Sequence, residues 1–223
     1  PAKKNKGMSQ KDLAALAGML KNMQVSKSSG SGRKKKKKAK ASRSPASGPS
    51  SQGMDGSITL QRRELIVSVS LPANSATANG HVDLLPSSFT FLKGISTSFD
   101  QLVWHRMSVY YKPAVGTTYG GLVTVGMDWD WVGNDVDRTK LTAYTPSFTT
   151  AAWADTESKP MHLPSSRLMS RRFYTPNSTT SDYNSKGPGK LHWAISGTSA
   201  TSAQTIGEIW ISYKATMYGT APA

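Results

Sequence analysis

Past residue 57 the chain reads as short apolar runs separated by Gly, Pro, Asn and Ser, which is the texture of strands and turns. From Ile58 to Leu71 the second half alternates. Leu65, Val67, Val69 and Leu71 fall on one face, and Ile66, Ser68 and Ser70 on the other. Further runs follow at 89–92, 102–111 (LVWHRMSVYY), 122–131 (LVTVGMDWDW), 147–153, 168–174, 191–195 and 206–217, which makes eight strand candidates. No long helical period interrupts them, and no internal repeat is visible. Eight short strands in a segment of this length predict an all-β fold, with the eight-stranded antiparallel jelly-roll sandwich as the natural arrangement.

The first fifty residues follow a different pattern. Between residues 9 and 24, Leu13, Leu16, Ala17, Leu20 and Met23 share one face of a helix, and Ser9 with Asp12 resembles a capping box. About four turns of helix are marginal in isolation, and Gly18 weakens them further. The spacing predicts a helix that forms transiently, or on contact with RNA, lipid or a neighbouring subunit. Arg33, Lys34, Lys35, Lys36, Lys37 and Lys38 then run without a break, with Lys40 and Arg43 behind them. Such a run repels itself and cannot enter a core. Segments rich in Ser, Gly and Pro flank it at 26–32 and 42–53. The chain therefore divides into a disordered basic arm, residues 1–53, and a globular domain, residues 54–223.

Charge sharpens this division. Residues 1–50 hold 14 Lys/Arg and one acid, for a net of +13, whereas residues 51–223 hold 14 Lys/Arg and 12 acids, for a net of +2. A polyanionic partner is expected, and the arm is where it binds. The arm has no aromatic residue for base stacking, so it condenses a nucleic acid without reading it. Each phosphate it neutralises adds roughly 0.7–0.9 to the salt slope of binding. The same lysine run also fits a nuclear or nucleolar localisation signal. There is no cysteine, so disulfides and thiolate metal sites are excluded. No run of eighteen apolar residues is present to span a membrane as a simple helix.

The stretch from Trp104 to Tyr174 carries a familiar order of motifs. A strand ends in Tyr111-Lys112-Pro113, a Thr/Gly turn follows from Gly116 to Gly121, and the next strand runs from Gly121 to the acidic Asp128-Trp129-Asp130. Then come W-x6-P-M-H-L-P from Trp153 and RLMSRRFYT from Arg167. This sequence resembles the shell domain of tombusvirus-, sobemovirus- and luteovirus-type coat proteins of small icosahedral plant viruses. The resemblance spans about residues 57–218 in layout and includes the basic arm.

It implies a virion protein that self-assembles with many copies of itself into a closed shell around viral single-stranded RNA. The chain ends shortly after its last strand candidate, which implies the smooth, shell-only type without a protruding domain. No small-molecule substrate and no stable membrane association are implied. In the resembled family the D-x-D loop binds Ca2+ at subunit interfaces. Asp128 and Asp130 match that motif, and Asp135 matches it more loosely. The bland reading of the loop is a solvated acidic turn paired with Arg138 or Lys140.

Other chemistry finds little support. His81, His105, His162 and His192 are scattered without zinc spacing, and His105 and His192 read as surface or interface strand residues. No nucleophile elbow or phosphate-binding loop is present, so no catalytic residues are assigned. Arg62, Arg63, Arg171 and Arg172 read as ordinary surface or intersubunit pairs, with an inner basic patch as the alternative. The six tryptophans are expected in the core or at subunit contacts. The competing function is a cellular β-sandwich nucleic-acid-binding module. It requires a basic face with aromatics on the globular part, where the net charge is small.

Overall fold

The protein is described from a computed structural model, in which residues 48–52, 56–131, 136–176 and 183–220 are described. The segment at 9–24 and the basic run from Arg33 to Arg43 lie outside the described residues, as does Asp135.

The strands are β1 (Gly48–Gln52), β2 (Ile58–Leu71), β3 (Thr77–Asp83), β4 (Phe99–Pro113), β5 (Gly121–Asp128), β6 (Ser147–Ala151), β7 (Met161–Leu163), β8 (Lys190–Gly197) and β9 (Gln204–Thr220). Three short helices interrupt them: α1 (Thr90–Ser96), α2 (Arg138–Leu141) and α3 (Ser165–Leu168). The first sheet has the order β1-β2-β9-β4-β7, and the second β3-β8-β5-β6. Every pairing is antiparallel. The partners are nested: β5 pairs with β6, β4 with β7, β3 with β8 and β2 with β9. The chain is thus one long antiparallel ribbon, doubled back at β5–β6 and wrapped into two facing sheets. That is the predicted jelly roll, with β1 added at the β2 edge.

Period-two alternation produces the core. In β9, Ile209, Ile211, Tyr213, Ala215 and Met217 are buried, while Trp210, Ser212 and Lys214 point away from the sandwich. From the facing sheet Val123, Val125, Met127, Leu191, Trp193 and Ile195 meet them. Trp104, Phe89 and Tyr213 pack edge-on and tilted at one end, with centroids 4.9–5.6 Å apart.

Several expectations change. Leu65 does not share a face with Val69 and Leu71, because the β2–β9 register shifts between Leu65 and Val67. This bulge turns Glu64 inward and leaves Leu65 on the surface. The run 89–92 is not a strand but the entry to α1. The run 168–174 is a helical turn and bend. Its two ends, Leu168 and Tyr174, are both buried, and the Tyr174 hydroxyl donates to the Leu168 carbonyl at 2.9 Å. The strand of that region is β7, and β3 is a strand the pattern did not predict. β5 ends at Asp128, short of Trp131. β1 lies inside the stretch that composition assigns to the arm, and pairs Ser51 with Thr59 and Gln52 with Ile58.

Candidate functional site

The acidic loop leaves the second sheet where β5 ends. Asp128 Oδ1 accepts the Asp130 N–H at 2.9 Å, which turns the chain back on itself. Asp128 and Asp130 therefore do not share a strand face. Asp128 Oδ2 lies 3.8 Å from His192 Nε2, with the Asp128 side chain only 15% exposed. The Tyr144 hydroxyl also binds Asp128. Burial first, then the Asp128 charge and hydrogen bond, push the Tyr144 pKa up. His192 is fully buried, beneath the rings of Tyr144 and His81 at 5.9 and 5.5 Å. It is thus not a surface residue, because the segment at 136–146 covers this end of the sheet. Asp130 is exposed.

Gly189, at φ +147°, fixes the loop from below: a Cβ there would strike the Asp128 carbonyl. Hard carboxylate oxygens suit calcium, which takes six to eight of them. Among the described residues, no group of three or more His, Asp or Glu is placed to hold a metal ion. Both oxygens of Asp128 face inward to the Asp130 N–H and His192, and the exposed Asp130 lies on the other side of the turn.

The outward face of the first sheet holds a second constellation. Arg63 Nη1 donates to Glu157 Oε1 at 2.6 Å, and Lys112 Nζ lies 3.0 Å from Oε2. Hydrogen bonds from Arg63 and then Lys112 hold the Glu157 carboxyl below the usual range. The Arg63 guanidinium covers the Tyr110 ring at 4.5 Å and stands 5.7 Å from the Trp210 ring. Beside them Ser108 Oγ meets His162 Nδ1 at 2.8 Å across β4 and β7. A Ser–His pair invites an enzymatic reading. In a Ser-His-carboxylate triad a third residue orients the imidazole; the Glu157 carboxylate is bound instead by Arg63 and Lys112.

The other basic residues do not form one patch. Arg62 and Arg63 lie on opposite sides of β2, and Arg62 stacks over Phe91 at 3.6 Å. Arg172 lies 5.3 Å from the Phe173 ring. Of the tryptophans, Trp104 and Trp193 are core, whereas Trp153 is 43% exposed. Sequence reasoning missed Arg106, Tyr110, Glu157 and Lys214. The alternation of β4 and β9 put three of them on one face, but only the strand register brings them together.

A nested eight-stranded framework, entered through an edge strand from a polycationic segment, defines the class: a jelly-roll domain carrying a basic arm. Residues 38–223 match the family described as Viral coat protein (S domain). The chain belongs to that family.

The capsid protein of Tomato bushy stunt virus (strain Cherry) is 30% identical over 175 residues, covering 75% of this chain and 43% of that protein. The capsid protein of Pothos latent virus (isolate Pigeonpea/India) is 28% identical over 185 residues, covering 79% and 48%. The chain thus spans less than half the length of these curated relatives. The solved structure of tobacco necrosis virus superposes with a TM-score of 0.64 at 18% identity, over 74% of this chain and 97% of that one. That likeness is one of fold.

Proposed function

We propose that this chain is the subunit of a closed viral shell that encloses single-stranded RNA. The jelly-roll domain meets copies of itself through symmetric contacts, and Arg33, Lys34, Lys35, Lys36, Lys37, Lys38, Lys40 and Arg43 neutralise the RNA. The carrying observation is the separation of charge: +13 in residues 1–50 beside +2 in the rest of a coat-family chain. A flexible polycation neutralises RNA whose path differs beneath each subunit, whereas a rigid patch needs matching phosphates. The protein acts by assembly rather than catalysis, and its place is the virion. Family membership and the nearly neutral domain favour this reading over a cellular nucleic-acid-binding module.

The test compares the full chain with a deletion of residues 1–47, which leaves β1 intact, by electron microscopy and the 260/280 nm absorbance ratio. Closed particles carrying nucleic acid from the full chain, and empty or no particles from the deletion, are expected. A full chain that stays monomeric with RNA supplied contradicts the proposal.

Calcium is a second part of the same reading. We propose that Asp128 and Asp130 bind Ca2+ where subunits meet, with Asp135 and a neighbouring copy completing the set. The ion would neutralise repulsion between facing carboxylates. Chelation at raised pH is then expected to slow sedimentation of the particles, and an unchanged rate argues against the site.

A further inference from the structure

The outward face of the first sheet holds more positive charge than its own acids neutralise. Arg106 on β4 and Lys214 on β9 are direct register partners, and both are exposed. Like charges directly opposite each other on a sheet are destabilising. Neither has a salt-bridge partner among the described residues, whereas Arg63 and Lys112 share the single carboxylate Glu157. Further along the same face Lys112 stands opposite Glu208, whose Oε2 accepts the Trp210 indole N–H at 2.8 Å. The face thus presents four cations to two carboxylates.

A second observation lies at the same place. Arg63, Arg106, Ser108, Tyr110, His162 and Ser212 line an open cavity of 160 Å³, together with Glu157 and Pro160. Tyr110 is only 3% exposed, and its hydroxyl has no hydrogen-bond partner. A buried hydroxyl left unpaired carries a desolvation cost. Exposed Arg106 lines this cavity, its register partner Lys214 lies beside it on the same face, and together these two unneutralised cations suit a phosphate. The half-buried Trp210 ring, with Lys112 Nζ 5.7 Å from its centroid, adds a stacking surface at the same rim.

We propose that this face is a second RNA-binding site, in which Arg106 and Lys214 hold backbone phosphates on the shell domain itself. This rests on the RNA-packaging reading above. The placement of β1 supports it. The chain enters the domain along the β2 edge of this same sheet, only five residues after Arg43, the last cation of the basic run. The second sheet receives no such entry, and the segment at 136–146 covers part of its outward face.

The test measures RNA binding by the full chain against salt concentration for wild type, Arg106→Ala/Lys214→Ala and an arm variant with Lys34 to Lys38 all changed to Ala. Single-stranded contacts add about 0.7 each to the slope of log affinity on log salt, so the sheet variant should lose about 1.4. Both residues are exposed, and relieving their repulsion should leave thermal unfolding unchanged or improved. Ultraviolet cross-linking of the unmutated chain to RNA is an independent readout. Adducts within residues 106–112 and 208–214 are expected.

If the arm variant loses slope while the sheet variant does not, and no adduct falls in those segments, this inference is overturned and packaging by the arm stands. If neither variant loses slope, both readings fall. If the sheet variant keeps its slope but no longer forms particles, the face is a contact between copies of the chain and the inference is again overturned.

Discussion

Tyr213→Phe isolates the buried polar node that ties α1 to the first sheet. Glu64 is 9% exposed, turned inward by the β2 bulge, and its carboxylate accepts from the Tyr213 hydroxyl and from the Phe91 N–H at 2.7 Å. Tyr213 is 1% exposed. Burial first, then the hydrogen bond to Glu64, raise its pKa, so the hydroxyl stays a donor throughout the working range. Phenylalanine keeps the ring contacts to Phe89 and Trp104 and removes only the oxygen. The loss is one buried hydrogen bond, about 1–3 kcal/mol, because Glu64 Oε1 is left buried with one donor fewer.

Equilibrium urea unfolding of the unassembled full chain, followed by tryptophan fluorescence, should show a lower midpoint at unchanged slope. A double-mutant cycle with Glu64→Gln should return a coupling of about 1–2 kcal/mol. A Tyr213→Phe cost within 0.5 kcal/mol of zero, roughly the scatter of neutral substitutions, would refute the claim that this node holds the helix.

Gly207→Ala should cost about 1–3 kcal/mol by overpacking. Its Cβ strikes the Tyr111 ring, whose hydroxyl is held by the carbonyls of Ala152 and Ile206 at 2.7 and 3.0 Å; thermal unfolding reads the loss. The Glu157 carboxyl is lowered by Arg63 and Lys112, so its contribution is present above the ordinary carboxylate pKa and fades as pH falls through its own lower value. At 35% side-chain exposure that contribution is at most about 1 kcal/mol, and Glu157→Gln should reduce the loss of stability on acidification below the ordinary carboxylate pKa, read by unfolding across that range. His105 is lowered by burial and then by Lys214, so folding favours its neutral form and loses stability as pH falls below 6.5. Lys214→Ala should raise the His105 pKa in an NMR titration, and no shift would mean that burial alone sets it.

Much of the framework was legible because β4, β5, β8 and β9 combine apolar alternation with flanking turn residues. The misreadings have physical causes. A four-residue apolar run such as 89–92 has no period long enough to separate a strand from a helical turn. β3 (TANGHVD) has few apolar positions because it is an edge strand, and Gly80 is there to admit the Trp193 ring, whose Cζ2 would stand 2.8 Å from an added Cβ. Leu168 and Tyr174 looked like the ends of a strand because both anchor the core, yet the chain between them bends. In β2 the alternation was real, but a bulge has no hydrophobic signature and moved Leu65 to the other face.

The acidic loop was visible as two carboxylates at alternate positions. That Asp128 turns in toward Tyr144 and His192 depends on a segment sixteen residues away and on another strand. The cationic face was invisible for a related reason: Arg106 and Lys214 meet only through long-range register.

The central claim is that this coat-family domain assembles around RNA gathered by its basic arm. The most direct measurement is electron microscopy of purified full-length protein with the 260/280 nm ratio recorded, beside the deletion of residues 1–47. Uniform closed particles that contain nucleic acid are expected from the full chain, and particles without nucleic acid, or none, from the deletion. Nucleic-acid-filled particles from the deletion would contradict the arm's role, and an unassembled full chain in the presence of RNA and calcium would contradict the shell.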